Sequence, residues 1–141
     1  MMTPEPSPDA AVHRFAVRVY YEDTDAGGLV YHANYLQFAE RARTEMLRSF
    51  GVQQSQLTAE QGIYFVIRRC LVDFLAPARL DDHLEVATRM VDLRGASIDL
   101  QQDVTRDGLD LVRLRVKLAC MTSAGRAARL PPAIRALFAG M

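Results

Sequence analysis

Asn34-Tyr35-Leu36-Gln37-Phe38-Ala39-Glu40-Arg41-Ala42-Arg43-Thr44-Glu45-Met46-Leu47-Arg48-Ser49-Phe50-Gly51 is the stretch on which the fold turns. Tyr35, Phe38, Ala39, Ala42, Met46 and Phe50 recur at helical spacing and make one apolar stripe. Arg41 and Glu45 lie four apart on the outer side. Asn34 suits an N-cap, and Gln37 three residues later gives a capping-box-like pattern. Gly51 supplies a left-handed stop. The spacing elsewhere predicts only short helices, over Gln53 to Glu60 and from Pro131-Pro132 to Phe138.

The remaining pattern is strand-like. Before the helix, Phe15, Val17, Val19 and Tyr21 alternate with polar or small residues, the period of a half-buried strand. After it, Ile63 to Phe74 is rich in β-formers, and Leu84, Val86, Thr88 and Met90 share one face. Arg94-Gly95 marks a turn, and Ile98, Leu100, Gln102 and Val104 alternate beyond it. Asp107-Gly108 is a hairpin signal. Val112, Leu114, Val116, Leu118 and Cys120 then point one way, and Arg113, Arg115 and Lys117 the other. One strand, one long helix and four strands on short turns do not make βαβ units. They predict an α+β fold in which an antiparallel sheet curls around the long helix. Open sheet edges need cover, which predicts a homo-oligomer joined edge to edge.

Composition narrows the function. The 141 residues suit one domain, expected over residues 13–141 behind a loose tail over residues 1–12 that carries three prolines. Seventeen basic side chains balance seventeen acidic ones, so bulk charge gives no reason to expect a nucleic-acid partner. Cys70 and Cys120 each sit in an apolar run and read as free buried thiols, in keeping with a reducing compartment. The N-terminus has acids and prolines where a signal peptide has bases and an apolar block, and no apolar stretch is long enough to span a bilayer. The expected location is cytoplasmic.

Chemistry concentrates between the first strand and the helix, in Tyr20-Tyr21-Glu22-Asp23-Thr24-Asp25-Ala26-Gly27-Gly28-Leu29-Val30-Tyr31-His32-Ala33-Asn34-Tyr35. A calcium loop from Asp23 fails, because its fifth position is Gly27 and its twelfth is Asn34. A phosphate loop fails because no Lys-Ser or Lys-Thr follows the glycines. A metal held by Asp23, Asp25 and His32 lacks a recognised spacing. On composition alone two readings stay open: a capped turn in which Asp23 and Asp25 accept backbone N–H bonds, and a reactive site.

Residues 18–47, Arg-Val-Tyr-Tyr-Glu-Asp-Thr-Asp-Ala-Gly-Gly-Leu-Val-Tyr-His-Ala-Asn-Tyr onward to Glu-Arg-Ala-Arg-Thr-Glu-Met-Leu, closely resemble the hotdog-fold acyl-CoA thioesterases. The likeness is to their bacterial branch associated with the Tol-Pal system, relatives of 4-hydroxybenzoyl-CoA thioesterase. Ala76-Pro77-Ala78-Arg79-Leu80-Asp81-Asp82 resembles the same branch, and the likeness runs from about Phe15 to Pro132 without a departure inside the first motif. The resemblance implies a long helix wrapped by an antiparallel sheet, assembled as a homodimer or homotetramer. It places the catalytic aspartate on Asp25, with a tyrosine and a histidine on Tyr21 and His32. It also implies an acyl-CoA substrate, no retained cofactor and a link to cell-envelope maintenance or phospholipid metabolism. Tyr21 and Tyr31 have a core reading beside the functional one, and His32 a structural one. The CoA phosphates need basic partners, for which Arg68, Arg69, Arg79, Arg106, Arg113 and Lys117 are candidates. Two rival functions stand against hydrolysis: dehydration or isomerisation on an acyl carrier, and non-catalytic docking of acyl carrier protein or envelope partners.

Overall fold

The computed structural model describes residues 5–6 and 11–141. The expected tail over residues 1–12 lies largely outside them. Five antiparallel strands form one sheet: β1 (His13–Arg18), β2 (Ile63–Phe74), β3 (His83–Leu93), β4 (Ser97–Arg106) and β5 (Leu109–Thr122), in the order β1-β3-β4-β5-β2. Three helices accompany it: α1 (Asn34–Ser49), α2 (Gln54–Gln61) and α3 (Pro132–Ala139).

The apolar stripe of α1 does what its spacing implies. Tyr35, Phe38, Ala39, Ala42 and Met46 are buried against the sheet, where they meet Val86, Leu100, Val104 and Leu114 from the inward faces of β3, β4 and β5. The helix stops in a Schellman arrangement. Gly51 has φ +83, its N–H bonds the Arg48 carbonyl at 2.9 Å, and the Val52 N–H bonds the Leu47 carbonyl at 2.9 Å.

The β4–β5 hairpin has the turn its sequence demands. Asp107 and Gly108 take φ of 50° and 80°, both in the left-handed region required at the two corners of a type I′ turn. Past the turn, a bulge at Leu111 shifts the register by one residue: Thr105 faces Asp110, but Val104 faces Val112. Gln102 faces Leu114 and Asp103 faces Arg113, so β5 buries its even-numbered apolar residues and turns its cations outward. Those cations are matched across the strands: Arg113 meets Asp103 at 2.8 Å, and Lys117 meets Asp99 at 3.7 Å.

Two expectations need correction. The first strand does not run on to Tyr21. It ends at Arg18, and Tyr21–Asp23 forms a single 3₁₀ turn that leaves Tyr21 84% exposed, so its core reading is lost. Asn34 is not the N-cap of α1. That position is Ala33, which has no side chain to cap with, and Asn34 is the first helical residue. Its amide group is drawn elsewhere, to a buried carboxylate described below.

One polar residue on the inward face ties helix to sheet. Gln102 is fully buried. Its Nε2 donates to the Ala39 carbonyl and to Thr88 Oγ1, each at 3.0 Å, and its Oε1 accepts from Arg43 Nη1 at 2.9 Å. Removing the Oε1 acceptor leaves the partly buried Arg43 cation without that partner, and removing Nε2 leaves the buried Ala39 carbonyl and Thr88 hydroxyl without their donor, which costs more than the bonds themselves. Gln102→Leu is therefore expected to lower unfolding free energy by about 2–3 kcal/mol, read as a fall in the urea midpoint with an unchanged slope.

Candidate active site

The loop between β1 and α1 is a small ladder of its own. Thr24 bridges Val30, and the Tyr31 N–H bonds the Asp23 carbonyl at 2.9 Å. At the tip, Gly28 N–H reaches the Asp25 carbonyl at 3.1 Å and Asp25 N–H reaches the Leu29 carbonyl at 2.8 Å. Gly28, with φ +78, takes the corner that a side chain would strain. The segment after β2 adds a third strand to the ladder. Val30 N–H bonds the Ala78 carbonyl at 2.9 Å, Leu80 N–H bonds the Gly28 carbonyl at 3.2 Å, and Leu29 bridges Arg79.

This ladder puts Asp25 and His32 on one cleft. The cavity, of about 350 Å³, is lined by Asp25, His32, Tyr35, Phe74, Leu75 and Pro77 among others, and most of its wall is apolar. Phe74 closes one side, meeting Tyr35 edge-on at 5.9 Å between ring centroids and His32 at 6.4 Å. Tyr35 is buried, and its hydroxyl accepts the Ala78 N–H at 2.9 Å. Burial pushes its phenol above the usual range, so it stays protonated. Tyr31 is exposed, which removes its core reading, and lies beside the His32 ring at 4.3 Å. Tyr21 stands in solvent and does not line the cleft.

Asp25 divides its carboxylate. Oδ1 accepts two N–H bonds inside its own turn, from Gly27 at 2.8 Å and from Leu29 at 3.2 Å. Oδ2 has no protein donor among the described residues. The capped turn weighed from composition is thus real for half of the group, and the other half is open to the cleft. Asp23 has no such freedom. It is 5% exposed, with Oδ2 accepting the Tyr20 N–H at 2.8 Å and Oδ1 accepting from Asn34 Nδ2 at 3.0 Å. The N–H groups of His32, on the same cleft, and of Ala33 lead into α1 without a protein acceptor among the described residues, and the helix dipole favours negative charge there.

Other candidate groups resolve differently. Burial pushes the Cys120 thiol up to about 11 and raises Cys70 as well, so neither is a nucleophile at neutral pH; both are free. Among the described residues no cluster of three or more His, Cys, Asp or Glu could hold a metal ion. A larger hollow of about 500 Å³ on the outer face of the sheet is lined by charges already matched to one another, such as Arg113 and Asp103. Of the cations proposed for phosphates, Arg106 is bonded to Asp82 at 2.6 Å, and Arg113 and Lys117 are paired within the sheet. Burial opposes ionisation of Asp82, but the Arg79 amide and the Arg106 guanidinium together hold its carboxyl below the usual range. Arg68, Arg69 and Arg79 are exposed and form no ion pair among the described residues.

Residues 19–138 match the model of the thioesterase-like superfamily, and the chain belongs to that family. The acyl-CoA thioesterase YbgC of Haemophilus influenzae is 50% identical over 107 residues, covering 76% of this chain and 79% of that protein. The acyl-CoA thioester hydrolase YbgC of an Escherichia coli strain is 52% identical over 96 residues, covering 68% of this chain and 71% of its own. Among solved structures, a probable thioesterase from Bartonella henselae superposes with a TM-score of 0.82 at 38% identity, over 86% of this chain and all of that one. The expected hotdog architecture and α+β class are thereby established.

Sequence reasoning missed Phe74 as a wall of the cleft, and the Asp23–Asn34 contact. Phe74 ends a strand whose alternation says nothing about what lies beyond it. The Asp25 carboxylate also leaves little room around it. A Cβ on Gly27 would sit 3.3 Å from Asp25 Oδ1, and the carboxylate would have to give way by a few tenths of an ångström. Gly27→Ala is expected to lower kcat on a thioester about tenfold while the melting temperature moves by less than about 3 °C, measured by thiol release and calorimetry.

Proposed function

We propose that the chain hydrolyses acyl-CoA thioesters to free acid and CoA, with Asp25 as general base or nucleophile. The observation that carries this reading is the shared cleft of Asp25 and His32: an open carboxylate oxygen beside an apolar wall and two unspent N–H groups at the start of α1. Similarity to named acyl-CoA thioesterases at about half identity supports the substrate class.

A thioester carbonyl is already electrophilic and needs a nucleophile and a home for the developing oxyanion. Asp25 Oδ2 either takes a proton from a water that adds to the carbonyl, after which the C–S bond breaks and CoA leaves as its thiol, or attacks the carbonyl itself, expelling CoA thiolate to give a mixed anhydride that water then opens to the free acid. The two amide bonds on Oδ1 fix the orientation of the group through either course. His32 orients the water or hydrogen-bonds the carboxylate. The N–H groups of His32 and Ala33 receive the oxyanion. Tyr21 has the lesser part: its hydroxyl bonds the Asp25 carboxylate or the substrate once its exposed side chain folds over. CoA enters as part of the substrate and leaves as a product, and its phosphates meet the exposed Arg79, which bridges the Asp25 loop through its backbone. No helix among the described residues is long and apolar enough to cross a membrane. An envelope role rests on the family resemblance, and a cytoplasmic location on the two free thiols.

Asp25→Asn in a folded protein is expected to lower kcat/KM at least a hundredfold across a panel of acyl-CoAs from short aliphatic to aromatic, followed with a thiol reagent. Unchanged hydrolysis would end the assignment, and unchanged binding of acyl carrier protein without any hydrolysis would favour the docking module instead.

The same reading includes a homodimer or homotetramer. β2 is an edge strand with an unpaired side, and it carries exposed Ile67, Leu71 and Phe74. Pairing with a second copy along β2 would cover these exposed side chains, Ile67 and Phe74 on one face and Leu71 on the other, and bring the copy to the wall of the cleft formed by Phe74. Light scattering is expected to give the mass of two or four chains, and Leu71→Lys to shift it toward one.

A further inference from the structure

We propose that Asp23 and Asn34 are a positioning pair that closes the base of the catalytic loop, an inference that rests on the thioesterase reading above. Neither side chain lines the cleft, and neither takes part in the chemistry assigned to Asp25 and His32. Both lie at the ends of the segment that carries those two residues, eleven positions apart in sequence, with Asn34 Nδ2 to Asp23 Oδ1 at 3.0 Å.

Three bonds converge on Asp23. Its second carboxylate oxygen accepts the Tyr20 N–H at 2.8 Å, and its carbonyl accepts the Tyr31 N–H at 2.9 Å. The residue therefore grips Tyr20 just beyond β1, the returning arm of the loop and the first turn of α1 at once. A buried carboxylate without a cation is costly and persists only where donors meet it. Here two donors arrive on different oxygens, so position 23 must offer two acceptors or an acceptor and a matched donor. Asn34 gives up capping the helix to supply one of them, and Ala33 is left as a cap without a side chain. The geometry that results is functional in its placement: Asp25 begins the turn two residues beyond one partner, and His32 stands two residues before the other.

Hydrogen-bond chemistry fixes a sign pattern for substitutions. Asn34→Asp sets two carboxylates face to face and opens the base of the loop, though an acid in the first turn suits the helix itself. Asp23→Asn alone is tolerated, because Asn34 can turn its amide and accept from the new NH₂. Asp23→Asn added to Asn34→Asp restores the link, with Asn accepting the Tyr20 N–H and donating to the new carboxylate. Asn34→Ala removes the donor without adding charge.

The test measures kcat and KM for butyryl-CoA and benzoyl-CoA, together with amide hydrogen exchange at Gly27 and Leu29, whose N–H groups hold Asp25. Asn34→Asp and Asn34→Ala are expected to lose at least tenfold in kcat, with KM within about twofold, and to speed exchange at Gly27 and Leu29 but not within α1. Asp23→Asn and the double variant are expected to match the parent in both readouts. The pair is overturned if Asn34→Ala keeps the parent kcat and exchange, or if adding Asp23→Asn fails to recover what Asn34→Asp loses. Exchange does not depend on turnover. If the parent itself releases no thiol, the thioesterase reading falls, and if Asp25→Asn hydrolyses like the parent, the role of Asp25 falls; in either case the exchange pattern still decides the pair.

Discussion

The backbone of Ala78 holds the working parts of this protein together. Its carbonyl accepts the Val30 N–H from the loop, and its N–H is donated to the buried hydroxyl of Tyr35 on α1. Ala78 is completely buried, so each of those groups would be an unmet polar atom without its partner. Loop, helix and the return from β2 are thus fastened at one point. Arg106 stiffens the same return through Asp82 and the Pro77 carbonyl. An exposed loop with a double glycine would otherwise have little to keep it still.

That fastening explains how an exposed aspartate can serve as a precise chemical group. The turn spends one oxygen of Asp25 on orientation and leaves the other for reaction. Orientation by backbone amides is inexpensive in entropy, because the turn is already ordered by the ladder around it. The apolar wall of Phe74, Tyr35 and Leu75 then sets the medium beside the carboxylate.

Much of the fold was legible because it follows from periodicity. The stripe on α1, the alternation in β4 and β5 and the Asp107-Gly108 turn all depend on neighbours within a few residues, and each is found where the spacing puts it. Tyr21 and Asn34 were misread for a common reason. Alternation carries Tyr21 into a strand, and residue type makes Asn34 a cap, but both answers ignore Asp23. Its carboxylate takes the Tyr20 N–H, which bends the chain, and then takes the Asn34 side chain from across the loop. A contact over eleven residues leaves no periodic trace. Gln102 lies between these cases. Its inward phase was visible, and an inward amide must have partners, but only the folded chain identifies them as Ala39, Thr88 and Arg43. The motif pointed to Asp25 and His32 together, and they do share a cleft; it also named Tyr21, which stands apart from them.

The rung-by-rung matching of β4 and β5 has a consequence for fidelity. Three rungs join inward apolar pairs, Ile98 with Leu118, Leu100 with Val116 and Val104 with Val112, and two join outward opposite charges, Asp99 with Lys117 and Asp103 with Arg113. Sliding one strand by a single residue would turn Leu114 and Val116 to water and drive Arg113 and Arg115 into the core. A misaligned sheet therefore forfeits hydrophobic burial and ionic matching in one stroke. The same hairpin that carries the inward face for α1 thus disfavours a slipped chain at equilibrium.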